Sequence, residues 1–99
     1  MYYTYVLQST EDGRWYTGVT GDLRARIADH LKGRVGSTRH RRPLRLIYYE
    51  ACLSEADARR RERYLKTGKG KRSIRQRLAA WLAENSLKKF GTALMPYAS

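Results

Sequence analysis

Aromatic and β-branched residues crowd Tyr2–Gln8 and again Trp15–Thr20, the content that half-buried strands favour. Between them, Ser9-Thr10-Glu11-Asp12-Gly13-Arg14 carries an Asp-Gly turn signal, so the two segments are expected to pair as a hairpin. The two-residue period puts Tyr3, Tyr5 and Leu7 on one face and Thr4 and Val6 on the other. Gly18 leaves bare backbone in the second strand, where a ligand can approach closely.

The period then changes. Leu23, Ile27 and Leu31 recur at i, i+4 and i+8 behind Asp22 as N-cap and before Gly33 as a stop, which predicts a helix to about Lys32. Arg26 and His30 are also four apart and lie together beside that stripe. Gly33 to Pro43 is made of glycine, serine, threonine and basic residues and reads as a flexible cationic loop, and Leu44 to Ala51 reads as a third strand. Ser54, with Asp57 as capping-box partner, opens a second helix that lasts until Thr67-Gly68. Gly68-Lys69-Gly70-Lys71 is too short for a phosphate-binding loop and reads as a basic turn. A third helix is expected from about Ser73, with Gln76 as its capping partner and Ile74, Leu78, Trp81 and Leu82 buried at helical spacing. Periodicity fades from Asn85. The expected fold class is α/β of the mixed α+β kind, a three-stranded antiparallel sheet flanked by helices in the order β-β-α-β-α-α. Residues 1–84 form one domain in this reading and 85–99 a C-terminal tail.

Charge narrows the partners. In 99 residues, 21 Lys+Arg face 9 Asp+Glu, a formal net charge of +12 that points to a polyanion, with nucleic acid foremost. The cations crowd into Arg34–Arg45 and Arg59–Arg77, whereas a merely solvated surface intersperses both signs. No segment has the roughly 18 consecutive apolar residues of a membrane span, and no secretory leader pattern opens the chain, so no membrane partner and a cytoplasmic location are expected. Cys52 has no second thiol to pair with and is expected to be a small core residue.

Glu62 is the residue that a bland reading explains least. It falls four residues after Ala58 and three before Leu65, on the inward stripe of the second helix. Burying an unpaired carboxylate costs several kcal/mol. Two explanations are open: a structural ion pair with an arginine such as Arg26, or a hold on a divalent metal, for which a hard oxygen donor suits Mg²⁺ or Mn²⁺ better than zinc. A strand tyrosine such as Tyr5 or Tyr16 is ordinarily core. Beside an arginine and a metal-bound water, however, a phenol can take a proton from an attacking water. Arg26 would counter charge on phosphate oxygens, and His30 could accept a proton, bond a tyrosine or contact phosphate.

Tyr3-Thr4-Tyr5, ten residues, then Tyr16-Thr17-Gly18, followed by Arg26 ten residues after Tyr16 and by Glu62 within Ala58–Lys66, resembles the GIY-YIG motif and its usual separation. Over roughly residues 2–83 the chain is similar to small stand-alone bacterial members of the GIY-YIG endonuclease superfamily, those resembling the isolated nuclease domain of the excision-repair nuclease UvrC. That resemblance implies a DNA-repair-type endonuclease, a hydrolase that cuts DNA phosphodiesters with one divalent metal. It assigns Tyr16 to the base, Tyr5 to a supporting hydroxyl, Arg26 to the scissile phosphate and Glu62 to the metal, with His30 orienting or deprotonating a tyrosine. Val19 and Ile74 stand where relatives carry a lysine and an asparagine.

DNA would be held by the domain's own cations: Arg39, Arg41 and Arg42 with Ser37 and Thr38 as phosphate donors, and a second cluster of Lys66, Lys69 and Lys71. Tyr48, Tyr49 or Tyr64, if exposed, would stack on unpaired bases and favour single-stranded or structured DNA over plain duplex. The competing class is a non-catalytic nucleic-acid-binding module with the same charge, and an RNA-directed protein is a third reading without a recognisable motif.

Overall fold

The computed structural model describes residues 1–90, with side chains through residue 85. The chain divides into two compact units, Met1–Lys66 and Thr67–Ser99.

In the first unit β1 (Tyr2–Ser9) and β2 (Trp15–Thr20) form the expected hairpin, and β3 (Leu44–Cys52) joins the other side of β1. All pairs are antiparallel and the strand order is β2-β1-β3, so the first strand is central. Its alternation sets up two buried faces. On one, Tyr5, Leu7 and Leu44 form a core against which Tyr16 of β2 and Leu23 and Ile27 of α1 (Leu23–Leu31) pack. From the other face the Thr4 hydroxyl donates to the Ala58 carbonyl of α2 (Glu55–Leu65) at 2.9 Å. Helix α1 starts as its sequence dictates, with the Asp22 carboxylate accepting from the Ala25 N–H at 3.1 Å, and stops at Gly33, whose φ of 78° suits glycine alone.

Four local expectations need correction. Ser54 stands at the N-cap of α2, but its side chain makes no cap bond, and Asp57 pairs instead with Arg60. The segment Gly33–Pro43 is no loose arm: it contains a 3₁₀ turn over Arg39–Arg41 and buries Val35 and Thr38. Cys52 ends β3 only half-buried, its thiol donating to the Ser54 carbonyl at 3.3 Å.

The fourth correction lies in the second unit. Gly68–Lys71 is the first turn of α3 (Gly68–Arg77), because the Thr67 hydroxyl accepts from the Gly70 N–H at 3.1 Å and caps the helix six residues before Ser73. That helix buries Gly70 and Ile74, breaks at Leu78, and is followed by α4 (Ala79–Phe90). The order is thus β-β-α-β-α-α-α, one helix more than the sequence pattern resolves. Part of the expected tail is helical, and residues 91–99 of it lie outside the described residues. No described helix is long and apolar enough to cross a membrane.

Candidate active site

Tyr5 stands at the centre of the site because its strand is the middle one, and its cross-strand partner is Gly18. Paired residues share a face, so the ring is free to lie over β2 only if the partner has no side chain. A Cβ on Gly18 would come within 2.5 Å of the Tyr5 hydroxyl oxygen and 2.6 Å of Cζ. The bare backbone that the sequence offers to a ligand is filled by the chain's own phenol.

From there the hydroxyl meets His30 Nε2 at 2.8 Å, and His30 Nδ1 meets Thr38 Oγ1 at 2.7 Å. All three side chains are essentially sealed from solvent, Tyr5 at 1% exposure and His30 and Thr38 at 0%. Thr38, expected to donate to phosphate, cannot do so, since its hydroxyl is buried against the imidazole. The Arg26 guanidinium neighbours the same Tyr5 oxygen and favours its ionised form by hydrogen bonding and charge. Burial pushes the Tyr5 phenol above its ordinary value, with the Arg26 hydrogen bond opposing and the neighbouring Tyr16 and Glu62 charges adding to the rise. Burial, then the Arg26 charge, pushes His30 below its ordinary value, with Asp29 opposing. Both groups are therefore neutral near pH 7. A neutral His30 can pair with both neighbours, the phenol O–H donating to Nε2 and Nδ1–H donating to Thr38 Oγ1.

Tyr16, opposite Leu7, stands beside this chain with its ring centroid 5.2 Å from that of His30 and 6.4 Å from that of Tyr5. It is only half-buried, so its hydroxyl is the more accessible of the two phenols. Glu62 comes from α2, and its ion pair is with Lys66 at 3.4 Å, not with Arg26. Its charge bears only weakly on Tyr5. The fold therefore gathers Tyr5, Tyr16, Arg26 and His30 closely and sets Glu62 at their margin.

No group of three or more His, Cys, Asp or Glu able to hold a metal occurs among the described residues. The donor set is one carboxylate with a fifth of its side chain open to water. Mg²⁺ and Mn²⁺ fit such a donor, because they retain waters and take further oxygens from phosphate. The Lys66 pair is a partly exposed i,i+4 contact worth about 0–1 kcal/mol, weak enough for an ion to displace.

A family model described as the GIY-YIG catalytic domain matches residues 1–76. The chain belongs to the GIY-YIG family. GIY-YIG proteins are nucleases, and generally use divalent metals. Similar proteins include a UPF0213 protein of Streptococcus pyogenes serotype M5, 38% identical over 88 residues that cover 88% of this chain and 90% of that one. Another, from Staphylococcus haemolyticus, is 40% identical and covers 67% and 80% of the two chains. A third, from Desulfotalea psychrophila, is 37% identical over 66% of this chain, and the match spans only 60% of that protein's length. A UPF0213 protein of Bacillus halodurans, solved by solution NMR, is 37% identical, covers 75% of this chain and 82% of its own, and superposes with a TM-score of 0.47.

The other residues expected to touch DNA divide by their surroundings. Ser37 and Arg39 are exposed, Ser37 ahead of the 3₁₀ turn and Arg39 within it. Arg41 is half-buried and donates to the Trp15 carbonyl at 3.2 Å, while Arg42 is exposed and donates to the Arg39 carbonyl at 3.1 Å. Lys66 is exposed at the end of α2, and Lys69 and Lys71 are exposed on the first turn of α3. Of the tyrosines proposed to stack, Tyr48 bonds Glu50 at 3.0 Å and Tyr64 lies under the Arg61 guanidinium at 5.3 Å, leaving Tyr49 the most open. Two members of the site escape the sequence reading: Gly18 as the seat of Tyr5, and Thr38 as the partner of His30.

Proposed function

We propose that the protein is a divalent-metal-dependent endonuclease that hydrolyses DNA phosphodiester bonds, favours single-stranded or structured DNA, and acts in the cytoplasm, with residues 1–84 as the nuclease domain. The observation that carries this reading is the buried Thr38–His30–Tyr5 chain, ending at Arg26 and flanked by the half-open Tyr16. A domain this small gains nothing in stability from a sealed imidazole, phenol and hydroxyl where apolar side chains would pack, so a chemical role explains them better.

Tyr16, half-buried beside His30, is assigned to take a proton from an attacking water. Tyr5 remains protonated, held by His30, and offers its oxygen to Arg26. Arg26 is thereby fixed to counter the charge that grows on the non-bridging phosphate oxygens. Glu62 would hold the ion; when bound, Mg²⁺ or Mn²⁺ supplies Lewis-acid stabilisation of phosphate oxygen and a more acidic water.

The test is incubation of the purified protein with labelled single-stranded, duplex and branched DNA, with and without each ion, alongside Tyr16→Phe and Glu62→Ala. A nuclease cuts only with the ion, and the two variants lose most cutting while keeping their DNA affinity. A wild-type protein that binds all three forms and cuts none, with either ion, is a binding module instead.

A further inference from the structure

On the flank of α1 away from Arg26 the first unit has a groove of about 520 Å³. Leu23 and Ile27, which also pack against the Tyr5 core, line it on the helix side. Tyr3, Leu46 and Tyr49 form the sheet wall, with the Tyr3 and Tyr49 rings edge to face at 6.2 Å and 75°. Tyr49 is 53% exposed and Leu46 36% exposed on an edge strand. Large apolar surface left open on a chain with a mean hydropathy of −0.73 asks for an occupant. Arg24 stands exposed at the lip, and Gly21 leaves the entrance without a side chain. The Asp22 carboxylate, which accepts from the Ala25 N–H, offers further acceptor capacity there.

We infer that this groove receives one unpaired nucleobase of the nucleic-acid substrate, stacked on Tyr49, with a neighbouring phosphate on Arg24. A flat aromatic group with polar edges, linked to an anion, matches an aromatic wall beside a guanidinium. An apolar peptide would leave the arginine and the carboxylate unmatched. The groove and the site share α1, whose diameter is about 10 Å. One strand crossing the start of that helix would therefore put a base on Tyr49 and a nearby phosphate at Arg26. Duplex DNA keeps its bases stacked and cannot fill the groove, so the groove supplies the preference for unpaired DNA. This inference rests on the nuclease reading for its direction, but it concerns binding alone and is tested without cutting.

The measurement is fluorescence anisotropy of a short labelled oligonucleotide in EDTA, single-stranded or annealed, with the full chain. Tyr49→Ala is expected to weaken single-strand binding about tenfold, as loss of one stacking ring does, and to leave duplex binding unchanged. Tyr49→Phe, which keeps the ring, should bind within about twofold of wild type. An abasic nucleotide walked along the single strand should, at one position, cost the wild type about as much, which keeps the test available if Tyr49→Ala fails to fold. Unchanged single-strand affinity in a folded Tyr49→Ala, an equal loss on both DNA forms, or tolerance of the abasic nucleotide at every position overturns the proposal. Cutting by a protein that gives those results leaves the nuclease reading standing. The expected results from a protein that never cuts leave the base site standing without it.

Discussion

Gly18 lies directly beneath the Tyr5 hydroxyl, so close that even a methyl group there would collide with the phenol oxygen and Cζ. The relationship reaches beyond one contact. With the ring laid over β2, its oxygen is delivered to His30 and Arg26, which project from α1 on the same face of the sheet. The glycine of the second tyrosine-bearing triplet is thus the seat for the tyrosine of the first. Nothing about a turn or a positive φ enters.

Gly18→Ala should therefore displace Tyr5 rather than the backbone. Overpacking of this kind costs about 1–3 kcal/mol. Cutting should fall at least about tenfold, since the Arg26 anchor moves with the ring. Gly21→Ala is the control for stability, because a Cβ there meets nothing nearer than the Tyr2 ring at 3.7 Å. Thermal unfolding of the pair reads the difference, and equal melting temperatures would refute the collision.

Thr38 should behave as a positioning residue for His30. Thr38→Val keeps the shape but removes the hydroxyl at Nδ1, leaving a buried imidazole N–H without its acceptor at a cost of about 1–3 kcal/mol. Thr38→Ser should retain most activity. The decisive readout is the ¹⁵N spectrum of the His30 ring: wild type and Thr38→Ser should show Nδ1 protonated and Nε2 bare, and Thr38→Val a shifted or mixed tautomer. An unchanged ring in Thr38→Val would remove Thr38 from the site.

Much of this fold is written locally. Alternation in β1, the Asp-Gly hairpin and the Asp22 cap each act over a few residues, and the sheet and α1 follow from them. The set Tyr5, Tyr16, Arg26 and His30 is legible because two strand residues and one helical turn keep fixed spacings. The Tyr5–Gly18 seat is harder to foresee, since it depends on cross-strand register. Thr38 is hidden further, because a Ser-Thr-Arg segment in a basic stretch looks solvated until a buried imidazole claims its hydroxyl. The start of helix α3 is hidden because two glycines argue against a helix, and the Thr67 cap and the burial of Gly70 override them. Glu62 reads as inward from its spacing, yet the choice between Arg26, Lys66 and a metal is a matter of tertiary distance.

Neutral His30 makes the site acid-sensitive. Its folded-state pKa lies below the ordinary 6.5, so on acidification the unfolded chain takes up a proton that the folded chain refuses. Stability should then fall as pH drops below about 6.5, with cutting lost in the same direction as imidazolium forms and Nε2 ceases to accept from Tyr5. The raised Tyr5 works at the other end, costing stability as pH climbs past about 10, where the unfolded phenol ionises first. Unfolding midpoints measured between about pH 5 and 6.5, in wild type and His30→Gln, test the acid limb. A slope that persists undiminished in the variant would assign it to other groups.

The basic segment after α1 should separate into residues that hold DNA and residues that hold the fold. Arg39 is exposed, so Arg39→Ala is expected to change stability by less than about 0.5 kcal/mol while lowering the salt slope of DNA binding by about 0.7–0.9, one phosphate contact. Arg41 is half-buried, with its guanidinium donating to the Trp15 carbonyl in the strand that carries Tyr16. Arg41→Ala should cost about 0.5–1.5 kcal/mol and leave the salt slope nearly unchanged. Affinities taken across a range of salt concentrations, paired with urea unfolding of the same proteins, separate the two behaviours. If Arg41→Ala lowers the slope as much as Arg39→Ala does, then the Trp15 bond gives way to phosphate when DNA binds, and the whole segment belongs to the interface.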